Sequence, residues 1–283
     1  MITLEKEKSL QLHFTPLEKF GVEIDSVDLK KLDHQQILFV KETLANEGMI
    51  IFRNQALDDK DLVHFAQQVG DGRLESSASR INHGRLIKEV GYITSLKDPE
   101  GEPLGFAGNT TDFWHSDQEF RESPASLGIL FCLIPPIEGG ETSFVSTTTS
   151  FFEEDEITVL KELLTTRKPA DFHDNAPRVT VAHPAILQNP LTGHEYVYVS
   201  ENTIDFIDKQ HSKQPIVKED ILKFILKEDN IYGHSWKCGD TILYDNAQLL
   251  HRREKYEGIR FIKALKIYPD KKYNTVIDGY IIA

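Results

Sequence analysis

The sequence predicts a mainly β fold with flanking helices. The chain has 283 residues, of which 40% are hydrophobic and 27% charged, a composition typical of a soluble globular protein with one large domain or two smaller ones. From Trp114 onward, short apolar runs bounded by Gly and Pro turns indicate strands. Before Trp114, the pattern indicates a strand, a helix, a strand and a second helix in succession.

The first third of the chain contains these mixed elements. Residues 20–24 alternate as a short strand, and residues 33–47 carry apolar side chains at helical spacing, with Asp33 as the cap. Residues 49–52 are a continuous apolar run, which predicts a buried strand. A second helix opens at Leu57 and runs through Val69, where Gly70 ends it.

The rest of the chain is predicted as strands with two surface helices. The helices are expected at 153–164 and 218–226, so we expect a helical insert around residues 150–235. The predicted strands are 127–134, 142–145, 196–199, 239–244 and 261–267.

The charge of the chain excludes several classes of partner. It carries 32 Lys and Arg against 45 Asp and Glu, a net charge of −13, and no basic run that would neutralise phosphates. Neither a secretory signal nor a stretch of about 18 apolar residues is visible, so we expect no membrane partner. Two distant cysteines, Cys132 and Cys238, do not make a disulfide framework. We therefore expect a cytoplasmic protein with a small-molecule substrate, and a homo-oligomer is left open.

The segment Trp114-His115-Ser116-Asp117 carries the chemistry. Residues two apart in an extended segment point to the same side, so His115 and Asp117 can face one point in space. An imidazole and a carboxylate on one face are two-thirds of a facial triad for non-haem Fe(II). Far downstream, a strand followed by Asp245-Asn246 leads to His251, and Arg260 stands nine residues later.

Several further motifs occur in a recognisable order. They are Gly48-Met49-Ile50-Ile51-Phe52-Arg53-Asn54-Gln55, then Pro135-Pro136 with Gly139-Gly140-Glu141-Thr142, and Gly239-Asp240 through His251-Arg252. With the His-x-Asp segment, this order resembles the Fe(II)- and 2-oxoglutarate-dependent dioxygenases of the taurine and 2,4-dichlorophenoxyacetate dioxygenase family. The resemblance runs from about Gly21 to Ile267, and it is specific for the family rather than for any one member.

The resemblance implies a double-stranded β-helix, a jelly roll like that of clavaminate synthase. It implies that His115, Asp117 and His251 ligate Fe(II), and that Thr142 and Arg260 bind 2-oxoglutarate, with O2 as the other cosubstrate. Asp117 and His251 are 251 − 117 = 134 residues apart and must meet at one metal. We therefore expect a single domain over residues 1–283.

Two departures from the family pattern bear on the anion sites. The spacing from His251 to Arg260 is shorter than expected, which leaves Arg252 and Arg253 as rivals for the cosubstrate. By alternation Arg252 should point away from the metal, and Arg253 should lie too close to reach over the cosubstrate. Four residues past Arg260, where taurine enzymes have another arginine, stands Ala264, so taurine is disfavoured as the substrate.

Substrate contacts are expected just before and after the first ligands. Asn109 and Phe113 precede His115, and Arg121 follows Asp117 and could bind an anionic group.

The expected reaction is oxidation, in the leading case hydroxylation, of a small organic acid or amino-acid-like molecule. Halogenating relatives lack the carboxylate that Asp117 supplies here, which favours an oxygenase outcome. Desaturation and cleavage of a carbon–heteroatom bond use the same ligands and stay open. A metal-binding jelly roll without oxygenase activity and a zinc hydrolase are competing hypotheses, although the sequence has no His-Glu-x-x-His helix.

Overall fold

The computed structural model describes residues 12–76, 87–105, 111–167 and 178–282, and the elements below belong to this part of the chain. Numbered along the chain, the first strands are β1 (Thr15–Pro16), β2 (Val22–Ile24), β3 (Met49–Phe52), β4 (Gly91–Thr94), β5 (Leu127–Ile134), β6 (Glu138–Gly139), β7 (Thr142–Ser146), β8 (Leu164–Arg167) and β9 (Thr180–Pro184). The later strands are β10 (Ile186–Gln188), β11 (Glu195–Val197), β12 (Thr203–Ile207), β13 (Ile231–His234), β14 (Thr241–Asp245), β15 (Leu249–Arg253), β16 (Tyr256–Glu257), β17 (Phe261–Ile267) and β18 (Tyr280–Ile282). The α-helices are α1 (His34–Glu47), α2 (Asp59–Val69), α3 (Glu154–Lys161) and α4 (Lys218–Ile225), and short 3-10 helices occur at Leu29–Lys31, Thr149–Phe151 and Glu228–Asn230.

Two sheets face each other around a buried core. The larger sheet has the strand order β1-β2-β3-β14-β5-β17-β4 within the described residues, and the smaller one has the order β13-β7-β15. Leu130 and Ile242 of the larger sheet share one apolar cluster with Phe144 and Leu249 of the smaller sheet. Two facing sheets, with helices on the outside, are the architecture that the sequence predicts.

Strand β3 is buried on both of its faces. Met49 and Ile51 point into the cluster between the sheets, whereas Ile50 and Phe52 pack in a second cluster beneath the helices. Phe65 of α2 meets Phe52 there, with ring centroids 5.7 Å apart. This double burial explains why the strand is a continuous apolar run rather than an alternating one.

Helix α1 begins and ends where the sequence predicts. Asp33 accepts a hydrogen bond from the amide of Gln36, and the Gln36 side chain accepts one from the amide of Asp33, which completes a capping box. Gly48 ends the helix with φ at +73°, a left-handed conformation that favours glycine. Helix α2 starts two residues later than predicted, because Asp58 serves as its cap, and it ends at Gly70.

The region around 150–235 differs from the predicted helical insert. Helices α3 and α4 are present, but strands β8 to β12 lie between them, and β12-β8-β9-β18 form a sheet of their own. Strand β11 overlaps the strand predicted at 196–199, but short, partly polar strands such as Thr180–Pro184 and Ile186–Gln188 carry little periodic signal, which is why the sequence pattern did not distinguish them from loops.

Both cysteines are free thiols: Cys132 is buried and Cys238 is exposed. Among the described helices, none combines the length and the apolar character needed to cross a membrane.

A buried histidine lies in the additional sheet, away from the facing pair. His183 of β9 is fully buried, its Nε2 lies 2.9 Å from the carbonyl oxygen of Glu119, and its ring meets Tyr198 edge-on. Burial, with a smaller contribution from the Arg167 charge, lowers the pKa of His183 to about 3. The folded protein therefore keeps this imidazole neutral.

We predict that His183 makes the protein less stable in mild acid. In the unfolded chain a histidine binds a proton near pH 6.5 and below, so stability is full above this pH and falls as the pH decreases toward 3. For this one group the loss between pH 7.5 and 5 is about 2 kcal/mol. Denaturant unfolding at the two pH values should show a smaller loss in His183→Gln than in the parent, and equal losses would contradict the prediction.

Candidate active site

The backbones of His115 and His251 face each other across an antiparallel bridge. The amide of each residue donates to the carbonyl of the other, at 3.1 and 3.0 Å. Directly opposed residues of an antiparallel pair send their side chains to the same side. The two imidazole rings consequently lie close, with centroids 4.3 Å apart.

Asn246 fixes Asp117 beside this pair. Its Oδ1 accepts from the amide of Asp117 at 2.7 Å, and its Nδ2 donates to the carbonyl of Asp117 at 3.0 Å. The Ser116 hydroxyl donates to the carbonyl of Asn246 at 2.8 Å. These bonds join the His-x-Asp segment to the turn after β14, and Oδ2 of Asp117 then lies 3.5 Å from Nε2 of His251.

The predicted triad therefore converges. One donor atom from each of His115, Asp117 and His251 lies within 4.8 Å of the other two. Two imidazoles and one carboxylate on a single face are the donor set of mononuclear non-haem iron centres, and they also suit zinc.

His251 and Asp117 have the protonation states that a metal requires. Burial, and then the neighbouring His115, lower the pKa of His251 to about 3, so this imidazole is neutral at pH 7. Burial alone would raise the pKa of Asp117, but Lys266 and the two histidines hold it well below its usual range. Nδ1 of His115 lies 2.9 Å from the carbonyl oxygen of Phe113, and a proton donated there leaves a lone pair on Nε2.

Packing orients the His251 ring. Phe144 stacks on it with centroids 5.7 Å apart, and Tyr244 meets it edge-on at 5.2 Å. Nδ1 of His251 is buried and has no hydrogen-bond partner among the described residues.

A buried cation lies beside the start of β7. Nη2 of Arg260 donates to Oγ1 of Thr142 at 3.3 Å, and Nε1 of Trp236 donates to the same oxygen at 3.0 Å. Burial, and then the charge of Arg253, lower the pKa of Arg260 to about 10, which leaves it a cation at pH 7. Nε of Arg260 is buried without a hydrogen-bond partner in the described part of the chain. An unpaired buried guanidinium next to a hydroxyl suits a carboxylate.

The two rival arginines lie in different places. Arg252 packs over Trp114 and donates to Glu254 at 2.8 Å, pointing away from the triad as alternation predicts. Arg253 and Arg260 both lie near the ring of Tyr256, at 5.2 and 5.9 Å from its centroid. Arg253 therefore shares the cationic end of the site with Arg260, which the spacing alone did not predict.

The predicted substrate contacts are only partly within the described structure. Phe113 is half-buried, with its ring 5.1 Å from that of His115. Arg121 forms an ion pair with Glu75 at 3.3 Å, so its charge is already partnered. Asn109 lies outside the described residues. Ala264 is half-buried on β17 and brings no charge to the site.

Sequence reasoning missed two residues that contact Asp117, namely Tyr244 and Lys266. Alternation along β17 places positions 260, 262, 264 and 266 on one face, and this signal could have connected Lys266 with the face of Arg260. Asn246 belongs to the sequence motif around His251. Its hydrogen bonds to Asp117 depend on the folded turn after β14, so the sequence alone did not indicate them.

Comparisons with known proteins agree with this geometry. The family model described as taurine catabolism dioxygenase TauD, TfdA family, matches residues 13–265. The chain is 22% identical over 259 residues to an alpha-ketoglutarate-dependent 2,4-dichlorophenoxyacetate dioxygenase of Burkholderia sp. (strain RASC), covering 84% of this chain and 87% of that protein. It is 22% identical over 278 residues to an alkylsulfatase of Acinetobacter baylyi, covering 89% of this chain and 82% of that protein.

A solved structure of a taurine dioxygenase from Burkholderia xenovorans matches with a TM-score of 0.75 at 19% identity, over 96% of both chains. This likeness confirms the predicted jelly-roll fold. Because the family model spans most of the sequence, the chain belongs to the TauD/TfdA family of 2-oxoglutarate-dependent dioxygenases, which use Fe(II) and O2.

Proposed function

We propose that this protein oxidises, and in the leading case hydroxylates, a small organic acid or amino-acid-like molecule with 2-oxoglutarate as cosubstrate. In this proposal His115, Asp117 and His251 hold Fe(II), and Thr142 and Arg260 hold the far carboxylate of 2-oxoglutarate. The observation that carries it is the convergence of three donor side chains within 4.8 Å of one another.

The three donor residues fit Fe(II) and leave coordination positions open for 2-oxoglutarate and O2. Two imidazoles and one carboxylate supply three ligands, so three positions of a six-coordinate metal stay open. When Fe(II) and 2-oxoglutarate are bound, the centre supplies O2 activation coupled to decarboxylation of the cosubstrate to succinate and CO2. The chain contributes the fixed ligand geometry and the aromatic wall of Phe144 and Tyr244 around His251.

The clamp for the cosubstrate lies on the same strand face as a residue that packs on the ligand His251. Thr142 and Phe144 share one face of β7 and are two residues, about 7 Å, apart. Phe144 stacks on His251, so Thr142 lies one step further along this face from the ligand. The two lone pairs of the Thr142 hydroxyl receive Trp236 and Arg260, so its own proton remains to be donated to a carboxylate.

The position of Arg260 makes this clamp strong. Its side chain is buried between the rings of Trp236 and Tyr256, at 6.0 and 5.9 Å from their centroids. Removal of water strengthens a charge-assisted hydrogen bond between guanidinium and carboxylate.

The two competing hypotheses do not account for the buried cation of Arg260. A metal-binding jelly roll without oxygenase activity, or a zinc hydrolase, gives no reason for an unpaired buried Nε on Arg260 beside Thr142. Among oxygenase outcomes, Asp117 favours hydroxylation over halogenation, and Ala264 disfavours taurine. Desaturation and carbon–heteroatom cleavage give different products, which mass analysis distinguishes.

We further propose that the chain acts in the cytoplasm as a single domain over residues 1–283. The two free cysteines support a reducing compartment. The net charge of −13 supports a role without nucleic acid or membrane partners.

We predict that Fe(II) and 2-oxoglutarate, added without oxygen, produce a weak visible charge-transfer band. His115→Ala and His251→Ala should each abolish the band, because each removes one of three ligands. A band that survives both substitutions, or a protein that retains zinc and shows no band, would contradict the proposal. A succinate-release screen over amino acids, sulfonates, phosphonates and aryloxy acids then identifies the substrate class.

We predict that Arg260→Ala weakens 2-oxoglutarate binding by about 2–4 kcal/mol, roughly 30- to 1,000-fold, because it removes a buried charge partner. Arg252→Ala is the matched control, since this side chain points away over Trp114. Calorimetric titration of the Mn(II)-loaded protein measures the affinities. If Arg253→Ala has the larger effect and Arg260→Ala has little, the clamp role belongs to Arg253.

We predict that Asn246→Ala lowers metal affinity by about 10- to 100-fold, because the two bonds that hold the backbone of Asp117 are lost. Asn230→Ala is the control, since Asn230 also donates to two backbone carbonyls, those of Phe224 and Ile225 near the end of α4. Mn(II) titration should separate the two variants. Equal affinities would show that the turn does not need Asn246.

A further inference from the structure

Three strands of the larger sheet place Tyr244, Gly128 and Lys266 in one row. In the register of β14, β5 and β17, Tyr244 lies opposite Gly128, and Gly128 lies opposite Lys266. Residues in such a row point to the same face of a sheet. The phenol and the ammonium therefore approach each other across the glycine, and Nζ of Lys266 donates to Oη of Tyr244 at 3.0 Å.

Gly128 makes this approach possible. A Cβ atom at position 128 would lie 2.2 Å from Cζ and 2.3 Å from Oη of Tyr244, distances that no side chain tolerates. The strand thus leaves out one side chain, and the tyrosine ring takes its place. A glycine inside a strand commonly marks a close approach of this kind.

The row ends on the carboxylate of the triad. Oη of Tyr244 donates to Oδ2 of Asp117 at 2.5 Å, and Nζ of Lys266 donates to the same oxygen. This is the oxygen that lies 3.5 Å from Nε2 of His251. Tyr244 is fully buried, whereas 22% of the Lys266 side chain is exposed.

We propose that Lys266, aligned by Tyr244, lowers the metal affinity of the centre through Asp117. It occupies Oδ2 of this carboxylate in the metal-free protein, and its positive charge opposes the entry of a divalent cation. The inference rests on the proposed function, because it takes His115, Asp117 and His251 as the metal ligands.

Two physical effects act in the same direction. A carboxylate oxygen that accepts two hydrogen bonds has less negative charge to offer a metal, and an ammonium within a few ångströms repels a dication. The dianion 2-oxoglutarate offsets this repulsion. Metal and cosubstrate therefore strengthen each other's binding through Lys266, and the coupling is reciprocal.

Titration of the metal-free protein with Mn(II) tests the inference. Without 2-oxoglutarate, Lys266→Met should bind Mn(II) about tenfold more tightly than the parent, because the repulsion is removed. Tyr244→Phe should tighten binding by a smaller factor, roughly threefold, since one neutral donor is lost. Addition of 2-oxoglutarate should raise Mn(II) affinity more in the parent than in Lys266→Met.

Lys263→Met is the matched control. Lys263 lies on the same strand but on the opposite face, where its Nζ pairs with Oδ1 of Asp59 at 2.6 Å. Its substitution removes the same charge and should leave Mn(II) affinity within about twofold of the parent. Lys266→Arg keeps the charge and should keep the weaker affinity.

The outcomes separate this inference from the proposed function. Lys266→Gln gives a second neutral variant if Lys266→Met does not fold. If both neutral variants bind Mn(II) no more tightly than the parent, while His251→Ala abolishes binding, Lys266 has no such role and the metal site stands. If His251→Ala binds Mn(II) as well as the parent, the proposed function itself fails.

Discussion

Two main-chain hydrogen bonds between His115 and His251 are the constraint on which the rest of the site depends. They bring an irregular segment against β15 and place two imidazoles on one side. The other contacts refine this placement: Asn246 adds the carboxylate of Asp117, and Phe144 orients one ring. Backbone hydrogen bonds therefore position the two histidines, whereas the position of Asp117 depends on the side chain of Asn246.

The net charge of the chain is negative, whereas several charged side chains near the triad are cationic. The protein is acidic overall, with a net charge of −13, yet Lys266 contacts Asp117 of the triad, and Arg253 and Arg260 lie together near Tyr256. A site that binds the dicarboxylate 2-oxoglutarate needs local positive charge, because the ligand would otherwise approach a uniformly negative surface. Arg260, one of these cations, is buried, so a carboxylate bound there would have to lose its water.

Alternation in an extended segment, which is a local property, predicted the pairing of His115 with Asp117, and the family resemblance supplied His251. His115 and Asp117 are two residues apart, and residues 127–134 and 261–267 were predicted with the bounds that the structure shows. The row of Tyr244, Gly128 and Lys266 could not be predicted in this way, since it depends on the register of three strands distant in sequence. Apart from β11, which overlaps the strand predicted at 196–199, the described strands between α3 and α4 were missed because short, partly polar strands leave no clear period.

The separation of the ligands along the chain has a consequence for the order of folding. Asp117 and His251 are 134 residues apart, and the strands that carry the site pair with partners far away in sequence. Such contacts form late, because a long loop must close before they repay its entropy. A metal ion therefore cannot organise this chain from a local nucleus as it does in a zinc finger. Binding of a metal by His115, Asp117 and His251 would require that strands far apart in sequence have already paired.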